Sequence, residues 1–338
     1  MGTVKLLDCT LRDGGYVNDW FFGDHAVYDI TQKLLQANID YIEMGFLREE
    51  EYKAGRTVFS SVDAIEQYMS EYKDGRSQFC AMCEALNPLP TDKIEKYDGN
   101  SVGVIRVIVW KRILKEGFEY CRKIVKQGYR LCVQPNRIEQ YSKEEFRDML
   151  RMFGSLSPMA IYLVDSFGLL NSRQILEYAR IADDEMEKNV TLGYHGHNNM
   201  QQAFLTAVDI VNEGFERDIL LDSSVYGMGR GAGNLCTELI AQYMNEYCGT
   251  NYDIGKIMEI NDLYIQEIYE KEKWGYRPCY YLTARHKCNP IYGYFYGEKM
   301  NLRSSVIDKI LSTLSENDKI IFSPEKARKY AKMQGELY

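Results

Sequence analysis

Histidine is scarce in this chain, four residues among 338. Any site built on paired imidazoles must therefore draw on His25, His195, His197 and His286. An excess of basic residues is also missing. Lysine and arginine number 41 against 49 aspartates and glutamates, a formal charge of −8. That balance argues against a basic nucleic-acid-binding surface and disfavours a polybasic membrane patch. No apolar run is long enough to span a bilayer. Met1-Gly2-Thr3-Val4-Lys5 leads at once into a predicted strand, so no signal peptide is expected. Leu6 stands where a myristoylation signal requires Ser or Thr. The nine cysteines lack a secretory context and read as free thiols of a reducing cytoplasm. Cys80 and Cys83 have C-x-x-C spacing, but on a strand they face opposite sides, which argues against a metal or redox pair.

What is present is a rhythm. A composition of 45% hydrophobic and 27% charged residues supplies a large core. Eight short apolar runs, each followed by helical spacing, begin at Val4, Tyr41, Phe79, Val102, Tyr129, Ala160, Thr191 and Ile219. Helical spacing is expected at residues 62–72 and, briefly, 91–97; Ser142-Lys143-Glu144-Glu145 is a capping box opening another helix. Eight such units in about 245 residues predict a (β/α)8 TIM barrel. A doubly wound open sheet is the alternative, but it would keep the first and seventh strands apart and would carry a phosphate-binding glycine motif at its first turn. From about Gly249 the rhythm stops, and residues 251–338 read as a small helical domain packed on a barrel of residues 1–250. Its helices are expected at 254–273, around Val306 to Leu314, and from Ser323-Pro324-Glu325, where Ser caps and Pro takes the first turn.

Polar residues gather where the predicted strands end, which is where a barrel builds its active site. Asp8-Cys9-Thr10-Leu11-Arg12-Asp13-Gly14-Gly15 follows the first strand. Tyr194-His195-Gly196-His197-Asn198 ends the seventh, with its two imidazoles two residues apart and so on one face. In a closed barrel only one strand separates the first from the seventh, so Asp13, His195 and His197 are expected to hold a divalent ion. After the eighth strand, Gly227-Met228-Gly229-Arg230-Gly231-Ala232-Gly233-Asn234 could form an anion-binding loop. Asn234 is either a fourth ligand or the cap of the next helix. Glu43, Arg106 and Ser166, at the tips of strands two, four and six, are the candidate substrate-binding side chains. The polar stretch 47–60 is either an active-site loop or a solvated one.

The Asp8–Gly14 run, His195-Gly196-His197-Asn198 and the Gly227–Asn234 loop together resemble the DRE-TIM metallolyase superfamily over residues 1 to 250, with Val164-Asp165-Ser166-Phe167-Gly168 as a further match. The short chain and the tail around Tyr281 to Tyr296 are most similar to its 4-hydroxy-2-oxo-acid aldolase branch. The resemblance implies a carbon–carbon lyase that uses Mn2+ or Mg2+ and acts on a small-molecule 2-oxo acid and an aldehyde, as a cytoplasmic enzyme and a candidate homo-oligomer. The ion would chelate the carboxylate and keto oxygen, and Arg12 would donate to that oxygen as it becomes an enolate. The family's aldolases use a His shortly after the Arg-Asp-Gly motif. Here the region reads Gly15-Tyr16-Val17-Asn18-Asp19, which leaves Tyr16 as the replacement base. A phenol with a reference pKa of about 10 is a poor base at neutral pH. Tyr292 is a second candidate proton carrier, with aromatic packing as its alternative role.

Competing readings share the metal. An acyl-CoA-dependent Claisen synthase would need longer acceptor-binding extensions than this chain shows. An amidohydrolase would carry His-x-His after the first strand. An Fe2+ oxygenase would use the same ligand types on another fold. A non-catalytic relative would keep the ion and lack the base.

Overall fold

The computed structural model describes residues 2–69 and 78–335. Eight parallel strands form a closed barrel: β1 Val4–Asp8, β2 Tyr41–Leu47, β3 Gln78–Glu84, β4 Val104–Trp110, β5 Arg130–Asn136, β6 Ala160–Asp165, β7 Thr191–Gly196 and β8 Ile219–Ser223. Closure is made by β1, which pairs with β2 through Leu7 and Tyr41 and with β8 from Val4–Ile219 to Asp8–Ser223. The open-sheet alternative is thereby excluded. A two-residue strand, Val58–Phe59, adds to the end of β2 at Phe46 and Leu47.

The strands read as continuous apolar runs because both faces are covered. Their outward residues pack under the helices Asp24–Gln36, Leu114–Lys126, Lys143–Gly154, Ser172–Glu185, Ala203–Asn212 and Thr237–Tyr247. The Ser142 capping box is formed, with Ser142 and Glu145 each bonding the other's backbone N–H. Two expected helices are reduced. The one at 62–72 is a single turn, Asp63–Glu66, and its expected end beyond residue 69 lies outside the described residues. The one at 91–97 is a 3-10 turn, Thr91–Lys93. Only Ile94 is buried in that segment, and a single turn with one apolar anchor does not offset the cost of helix nucleation.

Inward residues stack in layers. The floor is apolar: Leu7, Tyr41, Cys80, Val104, Cys132, Ala160, Tyr162 and Leu220 form one buried cluster. Cys80 belongs to it and Cys83 to the outer core, so the two thiols do face opposite ways. Gly193 is the floor's tightest position. A Cβ there would lie 2.3 Å from Cγ of Tyr162, so the ring crosses the barrel only because β7 has no side chain at that level.

Beyond Gly249 the chain is helical. Ile254–Ile260 continues through a π turn, Asn261–Ile265, into Gln266–Lys271, and its Ile257, Ile260 and Ile265 join the barrel's outer core. From Cys279 onward a second core forms, built on Tyr280, Tyr292, Tyr296, Ile307, Ile310 and Ala327. Helices Ser304–Ser312 and Pro324–Met333 belong to it, the latter capped by the Ser323 hydroxyl, which accepts from the Lys326 N–H. Among the described residues no helix is long and apolar enough to cross a membrane.

The floor yields a direct test. Gly193→Ala should destabilise the fold by about 1–3 kcal/mol through overpacking against Tyr162. Gly154→Ala, where a Cβ meets nothing within 4 Å, should be close to neutral. Urea denaturation of both variants reads the difference, and equal midpoints would show that the floor can relax.

Candidate metal centre

The site stands above the apolar floor, and its lowest layer is ionic. Arg106 and Glu43 are fully buried, with Arg106 Nη1 2.9 Å from Glu43 Oε2. Arg106 also bonds the Asp222 carboxylate through Nη2, takes the Gln134 amide oxygen as an acceptor at 2.6 Å and lies 4.8 Å over the Tyr162 ring. One level up, Arg12 donates from Nε to Glu43 Oε2 at 2.7 Å and from Nη1 to Asp13 Oδ1. On the other side, His195 Nδ1 is 2.9 Å from Asp222 Oδ2. Five side chains from β2, β4, β7, β8 and the turn after β1 thus form one ladder, Arg12–Glu43–Arg106–Asp222–His195.

Local structure explains why the turn after β1 delivers its charges here. The Arg12 and Asp13 N–H groups both bond the Cys9 carbonyl, at 3.1 and 2.8 Å, so the chain curls at once on leaving the strand. Thr10 Oγ1 accepts from the Val225 N–H and Thr237 donates to Asp8, which pins this turn to the loop after β8. Trp20 Nε1 donates to the Arg12 carbonyl at 2.7 Å. In the glycine-rich loop, a Cβ at Gly233 would meet the Gly227 carbonyl oxygen at 2.2 Å. That close approach sets Asn234 beside Asp13.

Asp13, His195 and His197 present one ligand atom each within 4.8 Å of one another, and all three are buried. His195 Nε2 lies 4.0 Å from Asp13 Oδ1, and His197 Nε2 lies 3.9 Å from Asp13 Oδ2. These gaps are too long for hydrogen bonds and suit atoms sharing an ion. Burial alone would raise the Asp13 carboxyl, but Arg12, the two imidazoles and the Asn234 amide hold it well below the usual carboxylate range. Burial pushes His197 down to about 3 against the pull of Asp13, so its ring is neutral and its lone pair free. Asp222 is also held ionised: burial opposes this, but Arg106 and His195 prevail. It must therefore accept the His195 Nδ1 proton, which leaves the Nε2 lone pair free toward Asp13 and available to an ion. Asn234 donates Nδ2 to Asp13 at 2.9 Å and to the Met228 carbonyl at 3.0 Å, while its buried Oδ1 has no partner. It does not cap the next helix, whose N-cap is Cys236. Around the ladder and Asp13, two guanidiniums face three carboxylates. One buried negative charge is left over, which a divalent cation would more than cancel. The donor set fits such an ion.

The cavity above these groups measures about 130 Å3. Arg12, Asp13, Tyr16, Ser166, His195 and His197 line it. Three candidates are placed elsewhere. Glu43 and Arg106 lie beneath the cavity in the ladder, where both are fully buried against each other. Tyr292 lies in the tail's core and donates its hydroxyl to the Asp318 carbonyl at 2.7 Å, so aromatic packing is its role. No residue of the stretch 47–60 lines the cavity, although Arg48 lies over the Phe46 ring and pairs with Glu84. Glu84, Gln134 and Asn136, polar residues that the sequence puts at strand tips, line it as well, with Arg230 from the glycine-rich loop; Asn289 and Ile320 reach it from the tail without a sequence signal. His286 pairs with Asp308 and His25 meets Tyr264, both away from the cavity.

Comparison with known proteins decides the family. A model described as HMGL-like matches residues 108–264. Over 309 residues the chain is 31% identical to the 4-hydroxy-2-oxovalerate aldolase of Desulfitobacterium hafniense (strain DSM 10664 / DCB-2), covering 87% of this chain and 90% of that protein. The chain belongs to the HMGL-like family of DRE-TIM metallolyases. This metallolyase is also 25% identical to the oxaloacetate decarboxylase of Mycobacterium tuberculosis (strain ATCC 25618 / H37Rv), over 70% of this chain and 68% of that one. The same fold is seen in the N-terminal domain of a putative aldolase from Bacteroides vulgatus, at a TM-score of 0.72 and 22% identity over 88% and 98% of the two chains. It recurs in the HMG-CoA lyase from Brucella melitensis, at a TM-score of 0.62 and 12% identity over 80% and 100%. Family and site together make this metallolyase a metal-dependent carbon–carbon lyase.

Two variants test the centre. His195→Ala should lose about one equivalent of bound Mn2+ relative to the parent. Asp222→Asn, which leaves His195 Nε2 in place but frees its tautomer, should weaken Mn2+ binding about 10–100-fold. Calorimetric titration measures both; unchanged affinity in Asp222→Asn would remove the ladder from the metal's support.

Proposed function

We propose that the protein cleaves or forms a 4-hydroxy-2-oxo acid through a pyruvate-type enolate. The observation that carries this reading is the state of Arg12. Arg12 is 3% exposed; its guanidinium is fixed by Glu43 and Asp13 and keeps Nη2 free of any acceptor among the described residues. A preorganised donor on the wall of the metal cavity suits an oxygen that gains charge as the reaction proceeds. A divalent ion held by Asp13, His195 and His197, with the Asn234 carbonyl oxygen as a fourth donor, would supply Lewis acidity at the same oxygen. The charge balance agrees: ladder, ion and a monoanionic 2-oxo acid sum to neutrality. The name of the Desulfitobacterium hafniense relative, a 4-hydroxy-2-oxovalerate aldolase, supports the same substrate class.

In cleavage, the C3–C4 bond breaks, its electron pair passes to the keto oxygen, and the 4-hydroxyl proton must leave. No third imidazole lines the cavity among the described residues. Tyr16 lines it with Arg230 5.2 Å from its ring, but burial raises its phenol above the ordinary value, outweighing Arg230. Below that pKa the ionised fraction falls about tenfold per pH unit. Cleavage that depends on Tyr16 should therefore climb with pH through the range above 8, and Tyr16→Phe should flatten the profile. The cavity and this altered base favour an aldehyde other than that of 4-hydroxy-2-oxovalerate. A second reading, decarboxylation of a 3-carboxylated 2-oxo acid, is favoured by the same lack of an imidazole, because that reaction needs no base at a hydroxyl.

The discriminating experiment uses the Mn2+-loaded enzyme in D2O. Exchange of the pyruvate methyl hydrogens should proceed without any aldehyde. Arg12→Ala should slow it about 10²–10³-fold while retaining the ion. Exchange without turnover of 4-hydroxy-2-oxovalerate supports a different aldehyde. An unimpaired Arg12→Ala would falsify the enolate role, and decarboxylation of oxaloacetate without exchange would favour the second reading.

A further inference from the structure

Beside the metal cavity lies a larger one of about 580 Å3, formed by the segments that follow β5 and β6 and covered by the tail. Ile320 lines both. Arg137 marks the border between them. It follows Asn136 and has its guanidinium 4.2 Å from the ring of Phe167, two residues that line the metal cavity, while Arg137 itself lines the larger one. Its backbone is left-handed, with φ at 61°, a conformation that a side-chain-bearing residue adopts only when its surroundings hold it there.

The wall that Arg137 makes is incomplete in a specific way. Arg137 is 4% exposed and donates from Nε to Glu139 at 2.7 Å, yet Nη1 has no partner. Glu139, also on this wall, has an unpartnered buried oxygen, Oε2. An unmatched donor beside an unmatched acceptor is costly in a folded protein unless something completes both. Hydroxyl groups donate and accept at once, so a run of hydroxyls is the chemistry that satisfies the pair. Gln140 and Tyr178 line the same space and add an amide and a ring face. Five cationic side chains against three acidic ones surround the cavity. One of them, Lys287, has no ion-pair partner among the described residues, so an anionic group is favoured as well.

We propose that this cavity is the acceptor site and takes the polyhydroxylated, anionic tail of a sugar-derived aldehyde whose carbonyl enters the metal cavity past Ile320. The proposal rests on the enolate reading above. In the condensation a C3–H bond of pyruvate breaks, its proton leaving to solvent and its electron pair passing into the enolate. C3 then bonds the aldehyde carbon, the carbonyl π pair moves to the aldehyde oxygen, and that oxygen takes a proton from solvent to become the 4-hydroxyl. No oxidant or reductant is required. A short alkanal carries no hydroxyl groups and so gains nothing from Arg137 or Glu139.

The test is condensation of pyruvate by the Mn2+-loaded full chain with D-erythrose 4-phosphate, D-glucuronate, D-erythrose and propanal, followed by NMR. The hydroxylated aldehydes should be preferred over propanal by about tenfold or more in kcat/KM. Glu139→Gln and Arg137→Met should each shrink that preference about tenfold through KM. Lys287→Ala should narrow the gap between the anionic aldehydes and D-erythrose, and the larger loss identifies phosphate or carboxylate as the group it meets. If Arg137→Met fails to fold by circular dichroism, the near-isosteric Glu139→Gln decides. Deuterium exchange into pyruvate is run alongside. No exchange overturns the enolate reading and this proposal with it. Exchange with no preference for hydroxylated aldehydes, or a preference unmoved by Glu139→Gln, overturns this proposal alone.

Discussion

The buried ladder of charges across the barrel interior is the constraint that the rest of the site depends on. Arg106 occupies its centre and touches two carboxylates that point in opposite directions, one supporting Arg12 and the other supporting His195. Arg12, the donor proposed for the developing negative charge, and His195, which would hold the ion, are therefore fixed by the same guanidinium. Charges this deep are tolerated only as a set. Removing one member leaves its neighbours unpaired in a low-dielectric interior, typically at a cost of about 3–5 kcal/mol. The ladder contributes orientation more than stability, since apolar residues of similar volume could fill the same space.

Depth along the strands separates what the sequence disclosed from what it hid. The histidine pair was legible because two residues of spacing puts both rings on one face, and Gly196 marks the strand's end. Glu43 and Arg106 were legible as inward polar residues, but their level was not. Each lies four residues before the end of its strand, at Leu47 and Trp110, roughly 13 Å below the rim at the usual rise per residue. The apolar runs around them show no end in the sequence, so residues of the supporting layer looked like residues of the mouth. The role of Asp222 as the acceptor for His195 became clear only from the closed geometry.

Tertiary assembly hid the remainder. Tyr292 sits in an aromatic segment that could have faced either way, and its hydroxyl is taken by the Asp318 carbonyl within the tail's own core. Asn289 and Ile320 carry no local mark of a binding residue. They reach the cavity because the tail's second core, built on Ala232 and Tyr280 as well as on its own helices, seats it over the glycine-rich loop. That seating is reinforced where Trp274 donates to the Tyr226 carbonyl and the Gly275 N–H to the Gly231 carbonyl. The helix expected after β3, reduced to a turn, shows the opposite limit. Helical spacing alone predicted it, but only Ile94 is buried under it, too little to hold more than a turn.

The placement of Ile320 divides the labour of the molecule between two parts of the chain. Everything that would hold the ion and the 2-oxo acid comes from the barrel, locked by mutual charge. The wall toward the larger cavity comes partly from a tail with a separate hydrophobic core. Changes in that tail can redraw the boundary of the second substrate without disturbing a single rung beneath the first. A scaffold of this kind can diversify its partner molecules while its reactive centre stays frozen.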